Sequence, residues 1–387
     1  MTEKPEKPET SATHAGRMSR EHFGAVNTPV YRVSTILQPN LETLETGNAP
    51  YVYGRRGTPS SKSLEAAINE LEGAAQTVLA PSGLGAITLA LLSVCSAGDH
   101  VLVTDSAYAP TRIYCDRLLT RYGIETSYYE PTIGAGIAAL MRPNTRAVFC
   151  ETPGSLTFEM QDITAIAAAA HENGAAVLMD NTWATPVFFQ PLTHGVDLSI
   201  QSVTKYIGGH SDMMMGYVAA NADHAERVHQ THGDLGLSVG GDDCFLALRG
   251  LRTLPTRLAR HQETGLKLAR WFQAQPEVAR VLHPALESDP GHTLWKRDFS
   301  GACGLFGVVL KSISRQALAA MTDGLECFGM GWSWGGFESL VVPAHIRRTA
   351  QPFVADGPVI RIHAGLEDAD DLIADLEAGF ERLRAAL

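Results

Sequence analysis

The run SIQSVTKYIGGHSDMMMG, from Ser199 to Gly216, decides how the rest of the chain is read. It opens as a short apolar-alternating strand ending near Val203. A single lysine follows, Lys205, set among Ser202, Thr204 and the Gly208-Gly209 pair, and a second apolar run begins at Met213. Most lysines are solvated, because desolvating an ammonium is costly. A lysine held at a strand-to-loop junction by apolar neighbours has its pKa pulled down, which makes it a nucleophile or a base.

Working outward, the strands on either side place more polar groups at strand ends. Ala176 to Met179 is an apolar strand ending at Asp180, 25 residues before Lys205. That spacing is about one helix-or-loop-plus-strand unit, so the two can sit on adjacent strands. Asp180 reads either as a helix N-cap or as a buried acid facing a cation. His100 to Thr104 and Ala147 to Cys150 are further strands, the second followed by Glu151. Helical period over Ser61 to Leu71, Tyr108 to Tyr122 and Ile163 to Asn173 separates them. Strands alternating with helices of this length predict a mostly parallel sheet buried on both faces, with ligands at the strands' carboxyl ends.

The strand Thr77 to Ala80 runs into Pro81-Ser82-Gly83-Leu84-Gly85 and a long apolar helix through Val94. A strand, a small-residue turn and a helix start favour a phosphate, through unpaired N–H groups and the helix dipole. The sequence is neither a Walker loop nor G-x-G-x-x-G, and a plain tight turn reads equally well. The missing G-x-G-x-x-G also counts against a nicotinamide dehydrogenase.

Residues 11 to 60 are turn-rich, and a stretch this long inside a compact protein is usually functional or reaches a partner chain. Within it, Tyr53-Gly54-Arg55-Arg56-Gly57 is either an exposed loop or an anion clamp. Toward the other end, Cys244 to Ala269 reads as one long helical segment linking two domains. Beyond about residue 270, short strands (Gly304 to Leu310, Val359 to His363) alternate with amphipathic helices, as in a smaller α+β domain. Arg361 lies between apolar neighbours in a strand, so it needs an anion from the protein or a ligand. Trp332 to Gly336 (WSWGG) reads as core packing or as a site loop.

With 387 residues, the chain exceeds what one core usually holds, so two domains are expected. A hydrophobic fraction of 45% and a charged fraction of 19% are ordinary for a soluble globular protein. A formal charge of −11 argues against nucleic-acid or anionic-membrane partners. No apolar run is long enough for a membrane helix, and MTEKPEKPET, residues 1–10, lacks a signal peptide's apolar core and reads as a disordered tail. The six cysteines are scattered without metal spacing, as expected for reduced thiols in a cytoplasmic protein. His229 and His232 form a lone H-x-x-H read as helix surface, so no metal is expected.

Together these pieces resemble the pyridoxal-phosphate enzymes of cysteine and methionine metabolism. The likeness runs over nearly the whole chain and rests above all on Asp180-Asn181-Thr182 paired with Ser202-x-Thr204-Lys205-Tyr206. Further support lies in YGRRGT (Tyr53 to Thr58), ETPGS (Glu151 to Ser155), GWSWGG (Gly331 to Gly336) and RIHAGLED (Arg361 to Asp368). Gly154-Ser155 and Ser333-Trp334 point to the branch that cleaves cystathionine by β-elimination, in methionine biosynthesis. His363-Ala364 departs from the smaller or hydroxyl residues that many relatives carry there.

The resemblance implies an α/β, aminotransferase-like fold of type I: a large domain with a mostly parallel seven-stranded sheet and a smaller α+β C-terminal domain. Residues 1–57 would form an arm against a neighbouring subunit, 58–250 the cofactor-binding domain and 251–387 the C-terminal domain. Lys205 would carry pyridoxal 5′-phosphate covalently and move protons. Asp180 would pair with the pyridine nitrogen, and Tyr108 would stack on the ring. The Gly83 and Leu84 N–H groups with Ser202 and Thr204 would hold the phosphate, with Tyr53 and Arg55 reaching it from the neighbouring subunit. Arg361, Ser333 and Trp334 would hold the substrate carboxylate. The shared site implies a homodimer, and the family suggests a dimer of dimers. Other sulfur-amino-acid lyases (a cysteine desulfhydrase or a γ-lyase) and a non-catalytic binding protein are the alternatives.

Overall fold

A computed structural model describes residues 7–387. Seven strands form the larger sheet: β1 (Gln76–Ala80), β2 (His100–Thr104), β3 (Glu125–Tyr129), β4 (Thr145–Glu151), β5 (Ala176–Asp180), β6 (Leu198–Ser202) and β7 (Gly216–Ala220), in the order β1-β7-β6-β5-β4-β2-β3. Pairing is parallel from β3 through β2, β4 and β5 to β6. Only β7 runs against the rest, between β6 and β1. The sheet is buried on both faces because alternate residues feed two cores. Val177 and Met179 of β5 pack into one, Ala176 and Leu178 into the other.

The second sheet follows later in the chain: β8 (Val278–Leu282), β9 (Leu305–Leu310), β10 (Phe328–Gly329), β11 (Ser339–Pro343) and β12 (Val359–His363), in the order β10-β11-β12-β9-β8. Strand β12 divides its faces in the same way. Ile360 and Ile362 enter the core of the second sheet, together with Phe306, Phe272 and Phe380. Arg361 and His363, at alternate positions, are turned to the opposite face.

Three expectations are corrected. The tail expected to be disordered over residues 1–10 is helical from Pro8, in Pro8–His14, while residues 1–6 lie outside the described residues. Pro8 suits a first helical turn, Ala12 is buried, and Arg252 closes the far end by donating to the carbonyls of Ala12 and Ala15. The single helix expected over Cys244 to Ala269 is two, Gly241–Arg252 and Leu254–Gln273, broken at Thr253. Pro255 has no N–H to continue the first helix but fits the start of the second. The helix expected from Tyr108 to Tyr122 begins at Ala109 and passes through a π turn over Cys115–Leu119.

Candidate active site

The carboxyl ends of β4, β5 and β6 lie side by side, with Glu151 opposite Asp180 and Asp180 opposite Ile200. The parallel register therefore brings Glu151, Asp180 and Ser202 to one edge, and the turn after β6 adds Lys205. Asp180 is fixed locally: its Oδ1 accepts from the Thr182 N–H at 2.9 Å and from the Thr182 hydroxyl at 2.5 Å. The same hydroxyl accepts from the Ser202 N–H at 2.9 Å, which ties the ends of β5 and β6 together. Burial pushes the Asp180 carboxyl up, while Thr182 and the Lys205 charge oppose the rise. Burial and the neighbouring Asp180 push Glu151 well above the usual carboxylate range. Glu151 accepts from the backbone N–H of Tyr108 at 2.7 Å and so fixes the start of that helix.

Lys205 Nζ donates to Ser333 Oγ at 2.6 Å and lies 5.4 Å from the centroid of the Trp334 ring. Burial pulls its pKa from 10.5 to about 8, helped by the positive Arg361 and opposed by Asp180. The amine is thereby available as a nucleophile near neutral pH. Arg361 donates from Nη2 to the Ser333 carbonyl at 2.7 Å, while its buried Nε has no partner. A buried guanidinium with an unused N–H calls for an anion. Tyr108 belongs to the same cluster, since Glu151, Asp180 and Arg361 all act on its hydroxyl electrostatically.

The helix Gly83–Val94 begins beside this edge, with Ser82 as N-cap accepting from the Gly85 N–H. The first-turn N–H groups of Gly83 and Leu84 have no acceptor within the helix. A side chain at Gly83 would come within 2.7 Å of Ser202 Oγ, so only glycine lets this helix start approach so closely. The Thr204 hydroxyl, expected at the phosphate, is engaged at both ends with Met215, donating to its carbonyl at 3.2 Å and accepting from its N–H at 3.1 Å. Tyr53 and Arg55 are elsewhere within the chain. Tyr53 is half-exposed, and Arg55 donates to the Gly233 carbonyl at 2.9 Å.

The residues present fit pyridoxal 5′-phosphate: a buried amine to carry it, a helix start and Ser202 for its phosphate, a buried Asp180 for its pyridine nitrogen, and an unused arginine N–H for a substrate carboxylate. The sequence analysis assigned no role to Thr182, and noted His363 only as a departure from the residues many relatives carry there. Thr182 follows Asp180 within the DNT motif, and His363 stands two residues after Arg361 on the same strand face, which was the available signal for each.

The family model for Cys/Met metabolism PLP-dependent enzymes matches residues 9–381. A Rhizobium johnstonii protein provisionally named as a cystathionine β-lyase is 53% identical, over 96% of this chain and 95% of its own. The cystathionine β-lyase of Escherichia coli K12 is 44% identical over 97% of this chain and 99% of its own. Among solved structures, cystathionine γ-synthase from Xanthomonas oryzae pv. oryzae, in complex with aminoacrylate and cysteine, aligns with a TM-score of 0.92 at 33% identity, over 99% of this chain and 100% of that one. Buried amine, helix start and strand-end acid thus sit in a chain that belongs to the pyridoxal-phosphate-dependent enzymes of cysteine and methionine metabolism.

Proposed function

We propose that this protein is a carbon–sulfur lyase that cleaves L-cystathionine by α,β-elimination, taking up water and releasing homocysteine, pyruvate and ammonia. The observation that carries the reading is Lys205, a buried amine brought down to about 8 and held by Ser333 on the loop that Arg361 also grips. Similarity to β-lyases at 44% identity and above supports the choice of substrate.

Bound pyridoxal phosphate supplies an electron sink that makes the substrate Cα–H acidic. The chain's own groups do the rest. Arg361 binds the α-carboxylate through its unused N–H edge, which turns the substrate's Cα toward Lys205. Lys205 Nζ, as a free amine, takes the Cα proton and returns a proton to the departing sulfur. Ser333 Oγ steers Nζ between the two positions. Asp180 would balance positive charge at the cofactor's ring nitrogen, and Tyr108 would cover the ring. The Gly83 and Leu84 N–H groups with Ser202 would hold the phosphate, and Thr204 would join them if its hydroxyl turned from Met215.

The proposal includes a homo-oligomer in which Tyr53 and Arg55 complete the site of a neighbouring subunit, in a dimer or a dimer of dimers. Exposed apolar side chains along the same arm, at Phe23, Leu37, Leu41 and Leu44, support a covered surface there. It also includes a cytoplasmic location, with which six free cysteines agree.

Incubation of the purified holoenzyme with L-cystathionine tests the reading. Pyruvate with homocysteine is the expected product pair; 2-oxobutyrate with cysteine overturns it in favour of a γ-lyase.

A further inference from the structure

His363 sits two residues after Arg361 on β12, and the two side chains share a face. Both reach the same loop. Arg361 donates to the Ser333 carbonyl at 2.7 Å, and the Gly335 N–H donates to His363 Nε2 at 3.0 Å. Residues 361 and 363 thus grip residues 333 and 335 as two rungs.

The second rung fixes the state of the imidazole. A backbone N–H can only donate, so Nε2 must offer its lone pair and the ring proton resides on Nδ1. That Nδ1 is buried and has no partner. The Gly336 carbonyl, 3.2 Å from Nε2, competes for a proton that Nε2 does not carry in this arrangement. Burial holds the ring well below its ordinary pKa, reinforced by His261 and by the cations Arg361 and Lys205 and opposed by the Gly336 carbonyl. An accepting Nε2 requires a neutral ring, and the Gly335 N–H selects the tautomer that carries its proton on Nδ1.

The gripped loop has little freedom of its own. A side chain at Gly335, where φ is +83°, would lie 2.8 Å from the Lys205 carbonyl carbon and the Tyr206 nitrogen. Its backbone thus rests directly on the Lys205 backbone. Ser333 holds a φ of 92°, unfavourable for a side-chain-bearing residue, and such strain persists only where the surroundings impose it.

We propose that His363 is a positioning residue: by accepting the Gly335 N–H at Nε2, it holds the loop so that Ser333 Oγ meets Lys205 Nζ. It touches neither substrate nor cofactor and acts through Ser333. The kinetic arm of the test rests on the lyase reading; the exchange arm does not.

Three variants separate acceptor from filler. Glutamine places an oxygen near the Nε2 position, asparagine is too short to reach Gly335, and leucine fills the space without an acceptor. Amide hydrogen exchange at Gly335 is followed in each holoenzyme without substrate, and kcat and KM are measured with cystathionine. His363→Asn and His363→Leu are expected to speed exchange at Gly335 about tenfold and to lower kcat about tenfold, with KM moving less. His363→Gln is expected to restore both to within about threefold of wild type. Unchanged exchange in the asparagine variant overturns the proposal. So does glutamine as damaging as leucine, or faster exchange at Gly335 with kcat intact. Should the leucine variant fail to fold, the asparagine–glutamine pair still decides. Wild-type protein inactive on cystathionine would sink the lyase reading and leave the exchange pattern to judge His363.

Discussion

Lys205 Nζ and Ser333 Oγ meet at 2.6 Å although 128 residues separate them in the chain. Ser333 serves a second cation as well, since its carbonyl accepts from Arg361. One serine of the smaller domain thus orders the two positive groups on which the proposed chemistry depends, with Lys205 supplied by the larger domain.

Replacing Lys205 by methionine is expected to abolish turnover and to stabilise the cofactor-free protein at neutral pH. The buried amine titrates near 8 when folded against 10.5 when free, so the unfolded chain binds more protons between those values. Stability of the wild type therefore rises with pH across that window, and below about 8 the cost of a buried ammonium is fully present. Lys205→Met should gain on the order of 2 kcal/mol at pH 7, with the advantage fading toward pH 10. Urea denaturation of both cofactor-free proteins at the two pH values checks this. Equal midpoints at pH 7 would mean that Lys205 is not charged and desolvated as described.

Gly83→Ala tests the close approach of this helix start to Ser202. The added methyl group would come within 2.7 Å of Ser202 Cβ and Oγ, displacing the hydroxyl expected at the phosphate. Ser202 Cβ is bonded to its own backbone and cannot swing clear as a flexible tip would, so β6 and the helix start would have to move apart. The dissociation constant for pyridoxal phosphate should rise about tenfold or more, and the cofactor-free protein should also melt at a lower temperature than wild type. A spectrophotometric titration beside a melting curve reads both quantities. Unaltered affinity would remove this helix start from the phosphate site.

Glu72 is predicted to make the protein less stable as pH rises from about 4.5 to 7. It is buried between Tyr217 and Ser199, whose hydroxyls both donate to its Oε1, at 2.6 and 3.0 Å, while Oε2 has no partner. Burial pushes the carboxyl from 4.5 up to about 7 despite those two donors. Between these values the folded state holds a proton that the unfolded chain has released, so stability falls as pH rises and stays reduced above about 7. Glu72→Gln should match wild type near pH 4.5 and exceed it by on the order of 3 kcal/mol at pH 8. Denaturation midpoints across that range give the answer, and parallel curves for the two proteins would refute it.

Lys205, Asp180, the Gly83 helix start and Arg361 stood out as candidates because each breaks a local rule, while the roles expected of them came from the family resemblance. A cation, an acid and an arginine stand where apolar periodicity predicts none, and glycine follows a strand where a helix begins. Thr182 and His363 did not, because a threonine after a strand and a histidine within one break no rule until their partners are known. The break at Thr253 was hidden because proline is as compatible with a helix's first turn as it is hostile to its interior. The helix at Pro8 was hidden because a charged, proline-rich segment has no reason to fold until Arg252 and a buried face receive it.

Local sequence carries the alternation of strands and helices, the parallel sheet and the polar residues at the ends of its strands. These follow from hydrophobic period and from residue types that cannot be buried without a partner. Tertiary structure alone decided which groups meet. The register of β4, β5 and β6 sets Glu151 beside Asp180, and the packing of β12 against the Ser333 loop brings Arg361 and His363 to it. Contacts between residues more than a hundred positions apart depend on how whole elements stack, and no local pattern encodes that.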